Sequence, residues 1–364
     1  MFEELICEGV ASLVPYPPGK PLEELERELG IQGAVKLASN ENPLGPSPKA
    51  LAALSRALPN LHRYPDGRGY YLKKALAERL GVRMDQVVLG NGSNEIIELS
   101  VRTFLRPGAR AVFSDPTFLV YSKVVQGAGG VLTRVPLKNH RHDLAGLVRA
   151  AGEDARLVFL DNPNNPTGTL VPSAELRRFA ADLPRRAVLV LDEAYVDFVR
   201  DSDRLDPREL IEGVRPVIFL RTFSKAYGLA GLRVGYGLAH QELVDYMDRV
   251  RQPFNVNTLG QIAALAALED EEFYRRTRET VWSGLDWLKA ELEKAGLKVF
   301  PTQTNFMMIE LDRPAAEVAE RMLHLGVIVR SLASYGLDRV IRITAGRPEE
   351  NERFCRALLE VLGR

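Results

Sequence analysis

Cysteine is almost absent: Cys7 and Cys355 are the only two in 364 residues. Two thiols build no disulfide framework and no CxxC metal pattern, which suits a reducing compartment. Net charge is absent too. Lysine plus arginine and aspartate plus glutamate number 48 each, so no global field points to nucleic acid or an anionic membrane surface. Long apolar runs are also missing. AVLVL at 187–191 and IAALAAL at 262–268 fall far short of the roughly 20 residues that span a bilayer. The N-terminal MFEELICEGV carries acids where a signal peptide carries a basic region, so no targeting segment is expected. The remainder is ordinary for a globular chain, 46% apolar and 26% charged, and long enough for two domains or one large domain with an appendage. A soluble, cytoplasmic protein with small-molecule ligands is expected.

What is present is a change of pattern along the chain. Residues 1–39 hold a proline-rich arm, VPYPPGKP at 14–21, and a short amphipathic helix over LEELEREL at 22–29. From about 84 to 238, short apolar runs alternate with helical stretches. The runs are QVVLG, ARAVFSD, GVLTRVPL, RLVFLD, AVLVLDEAY, VIFLR and RVGYGLA. Several are apolar throughout, as expected of strands covered on both faces. NEIIELSVRTFL at 94–105 and SAELRRFAADL at 173–183 read as crossover helices, each opened by a capping residue. The fold class is therefore α/β, with a large doubly wound, mostly parallel sheet. Beyond the helical stretch 258–295, KVFPTQTNFMMIEL, GVIVRSL and RVIRITAG alternate like half-exposed strands. With the helical AAEVAERMLHL and ENERFCRALLEVL they predict a smaller α+β domain, its sheet open on one face or lining a cleft. The expected division is an arm at 1–39 belonging to the small domain, a large domain at 40–257 and a small domain at 258–364.

In doubly wound sheets ligands lie beyond the carboxyl ends of the strands, so the residues just after each run carry the chemistry. GNGSNE at 90–95 joins a strand to a helix, where glycine admits close approach and free N–H groups attract phosphate. Gly90 and Gly92 also match the start of G-x-G-x-x-G, with Asp115 placed for a ribose, but Glu95 stands where that fingerprint wants glycine. On this stretch alone a nicotinamide oxidoreductase stays open. DNPNNPTG at 161–168 sets two prolines and a glycine around the Asn164–Asn165 amides, which reads as a tight surface loop or a functional one. In LDEAYVDF, Asp192 lies at the edge of a buried run and needs a partner. A helix cap, an ion pair or a cation it keeps protonated would each serve, with Tyr195 on the same side. FSKAYGLAGLRVGY at 223–236 isolates Lys225 and Arg233 among small residues. A lysine desolvated in such a place loses proton affinity and becomes a nucleophile or imine former. Together the four stretches call for a ligand with an imine-forming carbonyl, a ring nitrogen, a phenolic oxygen and a phosphate. Pyridoxal 5′-phosphate carries all four. KNHRHD at 138–143 offers His140 and His142 but no third ligand cluster, so a solvated loop is expected and no metal.

In these stretches the chain resembles the fold-type I pyridoxal-phosphate-dependent aminotransferases of class II, and within them the histidinol-phosphate aminotransferase family. KLASNENPLGPSPKAL (36–51), HRYPDGRGYYLKKALAE (62–78), NPNNPTG, DEAY, FSKAYGLAGLRVGY and RITAG follow that family's order across nearly the whole chain. The resemblance implies that Lys225 joins the cofactor aldehyde and then acts as general base. It implies that Asp192 keeps the pyridine nitrogen protonated and that Asn165 and Tyr195 donate to the ring's O3′. Phe118 would stack on the ring, and Ser93, Asn94, Ser224 and Arg233 would hold the phosphate. Tyr64 would reach the cofactor phosphate of the neighbouring subunit in a homodimer with shared active sites. Substrate recognition would fall to Tyr16, Asn42, Arg330 and Arg342. The implied reaction exchanges the amino group of L-histidinol phosphate with 2-oxoglutarate in L-histidine biosynthesis. Aromatic or broad-specificity transamination and threonine-phosphate decarboxylation use similar cofactor motifs. A pyridoxal-dependent transcription regulator would need a helix-turn-helix, which 1–39 is too short and proline-rich to supply.

Overall fold

A computed structural model describes residues 2–15, 19–200, 203–213 and 215–364. Its main sheet has seven strands: β1 (Val87–Gly90), β2 (Arg110–Asp115), β3 (Val131–Pro136), β4 (Ala155–Asp161), β5 (Val188–Asp192), β6 (Val217–Thr222) and β7 (Gly235–Ala239). They correspond one for one to the seven apolar runs. Their order is β1-β7-β6-β5-β4-β2-β3, parallel except where β7 runs antiparallel to β1 and β6. The apolar character of the runs has a direct cause, because packed helices cover both faces. On one face, helix α1 (Ser93–Phe104) buries Ile96, Ile97, Leu99 and Val101 against Val88, Val190 and Ile218. On the other, helix α2 (Ser173–Asp182) sets Leu176, Phe179 and Ala180 at helical spacing against Val158, Leu189 and Leu191.

The capping expectation fails for both helices. The residues at the cap positions are Gly92 and Pro172, neither of which makes a side-chain cap bond, and Ser93 and Ser173 are the first helical residues. The first N–H groups of α1 are thus left without a side-chain acceptor from the cap position.

A second sheet is built from β8 (Lys298–Val299), β9 (Phe306–Glu310), β10 (Arg330–Ser331) and β11 (Val340–Thr344), antiparallel in the order β10-β11-β9-β8. The long helix α3 (Glu271–Lys294) buries Thr277, Val281, Gly284, Leu285, Leu288 and Leu292 at intervals of three and four. Helix α4 (Pro348–Leu362) adds Phe354, Leu358 and Val361. The half-exposed strands read from the alternation form only at the short β8 and β10. Every residue of β11 and all but the last of β9 are buried. The polar side chains of β11, Arg342 and Thr344, turn toward residues 38–40 and the loop after β4 rather than to water. Outside both sheets, Val35–Lys36 pairs in parallel with Val327–Ile328 and ties the N-terminal segment to the smaller unit.

Candidate active site

Beyond the carboxyl ends of β4, β5 and β6 lies a cleft of about 290 Å³, whose lining brings together residues from GNGSNE, DNPNNPTG, LDEAYVDF and FSKAYGLAGLRVGY. Ser93, Asn94, Phe118, Asn165, Asp192, Tyr195, Ser224, Lys225 and Arg233 all line it, joined by Ser39, Glu41, Tyr121, Asp161 and Thr222.

At one end the backbone makes the site. Gly92 sits at φ +77°, and a Cβ built on it would come 2.5 Å from Arg233 Nη2. A Cβ on Gly235 would come 2.4 Å from the Ser93 nitrogen. Both glycines therefore let a guanidinium and a helix N-terminus approach one point, the arrangement that binds an anion. Arg233 is itself held at φ +53° and donates to Ala230 O at 3.0 Å and to Ser224 Oγ at 3.4 Å.

At the other end two carboxylates meet. Tyr121 donates from its hydroxyl to Asp192 Oδ2 at 2.8 Å, and the Ala194 N–H donates to Oδ1 at 3.0 Å. Burial pushes the Asp192 carboxyl up to about 7, and the neighbouring Asp161 pushes the same way. Asp161 accepts from Thr117 Oγ1 at 2.5 Å, Asn164 Nδ2 at 3.1 Å and the Asn165 N–H at 2.7 Å, yet burial still raises it to about 6. A cation placed against Asp192 would reverse that shift. Phe118 meets Tyr121 edge-on, with ring centres 5.6 Å apart.

Between these ends, two donors are aimed by their other bonds. Arg342 donates to Asn165 Oδ1, so the Asn165 amide NH₂ is the half left to face the cleft. Asn40 donates from Nδ2 into the Tyr195 hydroxyl at 2.8 Å, which leaves the Tyr195 proton free to point elsewhere. Asn40 is fixed in turn, because its Oδ1 accepts from Thr344 Oγ1 at 3.1 Å. Two polar hydrogens thus converge where one phenolic oxygen can take both. Lys225 Nζ donates to Ser39 O at 3.1 Å and lies 5.8 Å from the Tyr195 ring centre. Burial, followed by the charge of Arg342, lowers its amine to about 8, so a useful fraction is an unprotonated nucleophile near neutral pH.

Other expected residues stand apart from the cleft lining. Asn42 uses its amide on Ala226 O (2.9 Å) and Thr277 Oγ1 (3.3 Å), which anchors the loop beside Lys225. Arg330 faces Arg342 directly across the β10–β11 pair. Arg342 is buried, donates to Ala38 O at 3.1 Å and lies 4.9 Å from the Phe306 ring centre, with Nε unpartnered. Tyr64 is 82% exposed and stacks on Phe254 with ring centres 4.8 Å apart. Tyr16 lies outside the described residues.

The solvated loop expected at KNHRHD is corrected at His142. Its ring is buried, held by Ser114 Oγ at 2.7 Å and donating from Nε2 to Asp161 O at 2.9 Å. Burial lowers it to about 4, so it is neutral. Asn40, Tyr121 and Asp161 were missed as site residues. A signal existed for the first and last, since each sits inside a quoted motif, but nothing local marks Tyr121.

A doubly wound sheet with a half-buried lysine, a carboxylate-lined ring end and an anion cradle defines a pyridoxal-phosphate-type transferase. The chain belongs to the aminotransferase class I and II family, whose pattern matches residues 32–358. A histidinol-phosphate aminotransferase of Desulfotalea psychrophila is 49% identical over 98% of this chain and 95% of its own. One of Pseudomonas fluorescens, histidinol-phosphate aminotransferase 2, is 50% identical over 100% and 99%. The crystal structure of the Sinorhizobium meliloti histidinol-phosphate aminotransferase with pyridoxal-5′-phosphate superposes with a TM-score of 0.90, at 34% identity over 98% and 97% of the two chains. Within the class, the chain therefore belongs with the histidinol-phosphate aminotransferases.

Proposed function

We propose that the protein transfers the amino group of L-histidinol phosphate to 2-oxoglutarate, giving 3-(imidazol-4-yl)-2-oxopropyl phosphate and L-glutamate, in L-histidine biosynthesis. The observation that carries this reading is full-length identity near one half to enzymes of that name, together with a cleft complementary to their cofactor. The fit of the cradle rests on the two glycines, whose missing Cβ atoms leave the space between Arg233 and the start of α1. When bound, pyridoxal 5′-phosphate supplies an electron-accepting ring that carries the amino group between the two substrates.

The chain's own residues do the rest. Ser93, Asn94, Ser224 and Arg233 hold the phosphate, by contacts worth roughly 1.5–3 kcal/mol each where charge assists. Asp192 keeps a proton on the ring nitrogen, Asn165 and Tyr195 donate to the phenolic oxygen, and Phe118 covers a ring face. Lys225 Nζ would hold and move the proton of the substrate carbon. Arg342 and Arg330, two guanidiniums facing each other across a strand pair, take the carboxylate of one substrate and the phosphate of the other. Asn42 acts as an anchor for the Lys225 turn, and Tyr16 contributes to substrate recognition.

The active unit is a cytoplasmic homodimer in which Tyr64 serves the partner's phosphate. Support comes from the stacked pair Tyr64 and Phe254, two aromatic rings left exposed at 82% and 45%. Among the described residues no helix is long and apolar enough to cross a membrane. The working division is the arm at 1–39 with the small domain, the large domain at 40–257 and the small domain at 258–364. Helix Thr258–Leu268 packs on Pro48–Ala57 across that boundary.

Steady-state assays with histidinol phosphate, phenylalanine and threonine phosphate test the reading. Turnover of histidinol phosphate with 2-oxoglutarate should exceed the others by at least tenfold in kcat/KM. Stronger use of phenylalanine, or carbon dioxide release from threonine phosphate, refutes it.

A further inference from the structure

The inner end of the cleft holds one carboxylate more than a single protonated ring nitrogen needs. Asp161 and Asp192 are register partners on adjacent parallel strands, so both side chains leave the same face, with Cα atoms roughly 4.8 Å apart. Both are buried and both line the cleft. Among the described residues every group bonded to these carboxylates is neutral: Thr117, Asn164 and the Asn165 N–H on Asp161, Tyr121 and the Ala194 N–H on Asp192. The titratable neighbours face elsewhere. His142 Nε2 is 3.7 Å from Asp161 Oδ1 but gives its proton to the Asp161 carbonyl. Lys225 bonds Ser39, Arg342 bonds Asn165 and Ala38, and the Tyr195 hydroxyl is bonded by Asn40. Neutral donors soften two like charges in a buried site but do not cancel them.

We propose that Asp161 is a positioning residue for the cofactor: with Asp192 it presents a paired negative potential that a protonated ring nitrogen neutralises, so the pocket holds a cationic ring more tightly than Asp192 alone could. The inference rests on the placement of the ring nitrogen at Asp192 given above. The competing role is a plain loop anchor, because Asp161 also holds Asn164 and Asn165 in place.

Equilibrium dialysis of the full chain against pyridoxal 5′-phosphate and its 1-deaza analogue separates the two roles. The analogue keeps the aldehyde, the phenolic oxygen and the phosphate and replaces only the ring nitrogen with C–H. Wild type should prefer the nitrogen ring. Asp161→Asn should cut that preference roughly ten- to a hundredfold, the scale of one added charge several ångströms away at an effective dielectric of about 20. The loss should fall on the parent cofactor and spare the analogue. Equal weakening of both ligands, or an unchanged preference, overturns the proposal. Thr117→Val removes a donor that favours the ionised form of Asp161, so it should shift the preference the same way by a smaller factor. Should Asp161→Asn not fold, that variant decides: no shift overturns the proposal. Equal binding of the two ligands by wild type would sink the placement of the ring nitrogen itself, and this inference with it.

Discussion

Removing a single oxygen atom, in Tyr121→Phe, probes how the ring end of the cleft is tuned. Tyr121 is fully buried, and its ring stacks on Phe159 at 4.8 Å, so phenylalanine keeps the packing and loses only the hydroxyl. Among the described residues that hydroxyl is the one side-chain donor to Asp192, whose other bond comes from the Ala194 N–H. A hydrogen bond to a buried carboxylate contributes roughly 1.5–3 kcal/mol, or about one to two pKa units at about 1.4 kcal/mol per unit. The sign is upward, because the lost bond favours the ionised form. From about 7 in wild type, the ionised fraction at neutral pH would fall from about one half to about one tenth or less. In the loaded protein a cation facing Asp192 lowers both values together, so the difference between variant and wild type persists. Cofactor retention should weaken roughly ten- to a hundredfold. The pH dependence of the bound cofactor's absorbance should move toward alkaline pH by at least one unit. Retention within twofold of wild type with an unmoved titration would refute the assignment of Asp192 as the carboxylate opposing the ring nitrogen.

Three further outcomes follow from the same geometry. Gly92→Ala places a Cβ 2.5 Å from Arg233 Nη2 at a left-handed φ, so cofactor affinity should fall more than tenfold and stability by about 1 kcal/mol or more, read by dialysis and thermal melting. Arg342→Ala removes the group that orients Asn165, so it should lower both substrate turnover and cofactor affinity; loss of substrate binding alone would show that Asn165 keeps its orientation unaided. The cofactor-free protein should lose stability as pH rises from about 4 to about 7. Asp161 and Asp192, raised to about 6 and about 7, bind protons more tightly folded than unfolded, and that outweighs the opposite contribution of His142, lowered to about 4. A melting temperature that climbs across this window would contradict the buried pair.

Local sequence determined most of the architecture. A strand covered on both faces must be apolar throughout, so RLVFLD and AVLVL announced β4 and β5 without any tertiary information, and the turn residues after them announced where ligands sit. Lys225, Asp192 and Arg233 were legible because a charge set among small or apolar residues needs a partner, and no partner was local. The alternation in RVIRITAG misled, because period two reports which side chains share a face and says nothing of what that face meets. Only the tertiary structure brought 38–40 against β11 and so buried Arg342 and Thr344. The same holds for the groups that aim the chemistry. Tyr121 reaches Asp192 from 71 positions away, Asn40 reaches Tyr195 from 155, and Arg342 turns the Asn165 amide from 177. Sequence settled which chemical groups this protein brings to the carboxyl ends of its strands; the packing of one unit on the other settled which atom of each group faces the ligand, because a hydrogen bond's direction depends on where both of its partners lie in space.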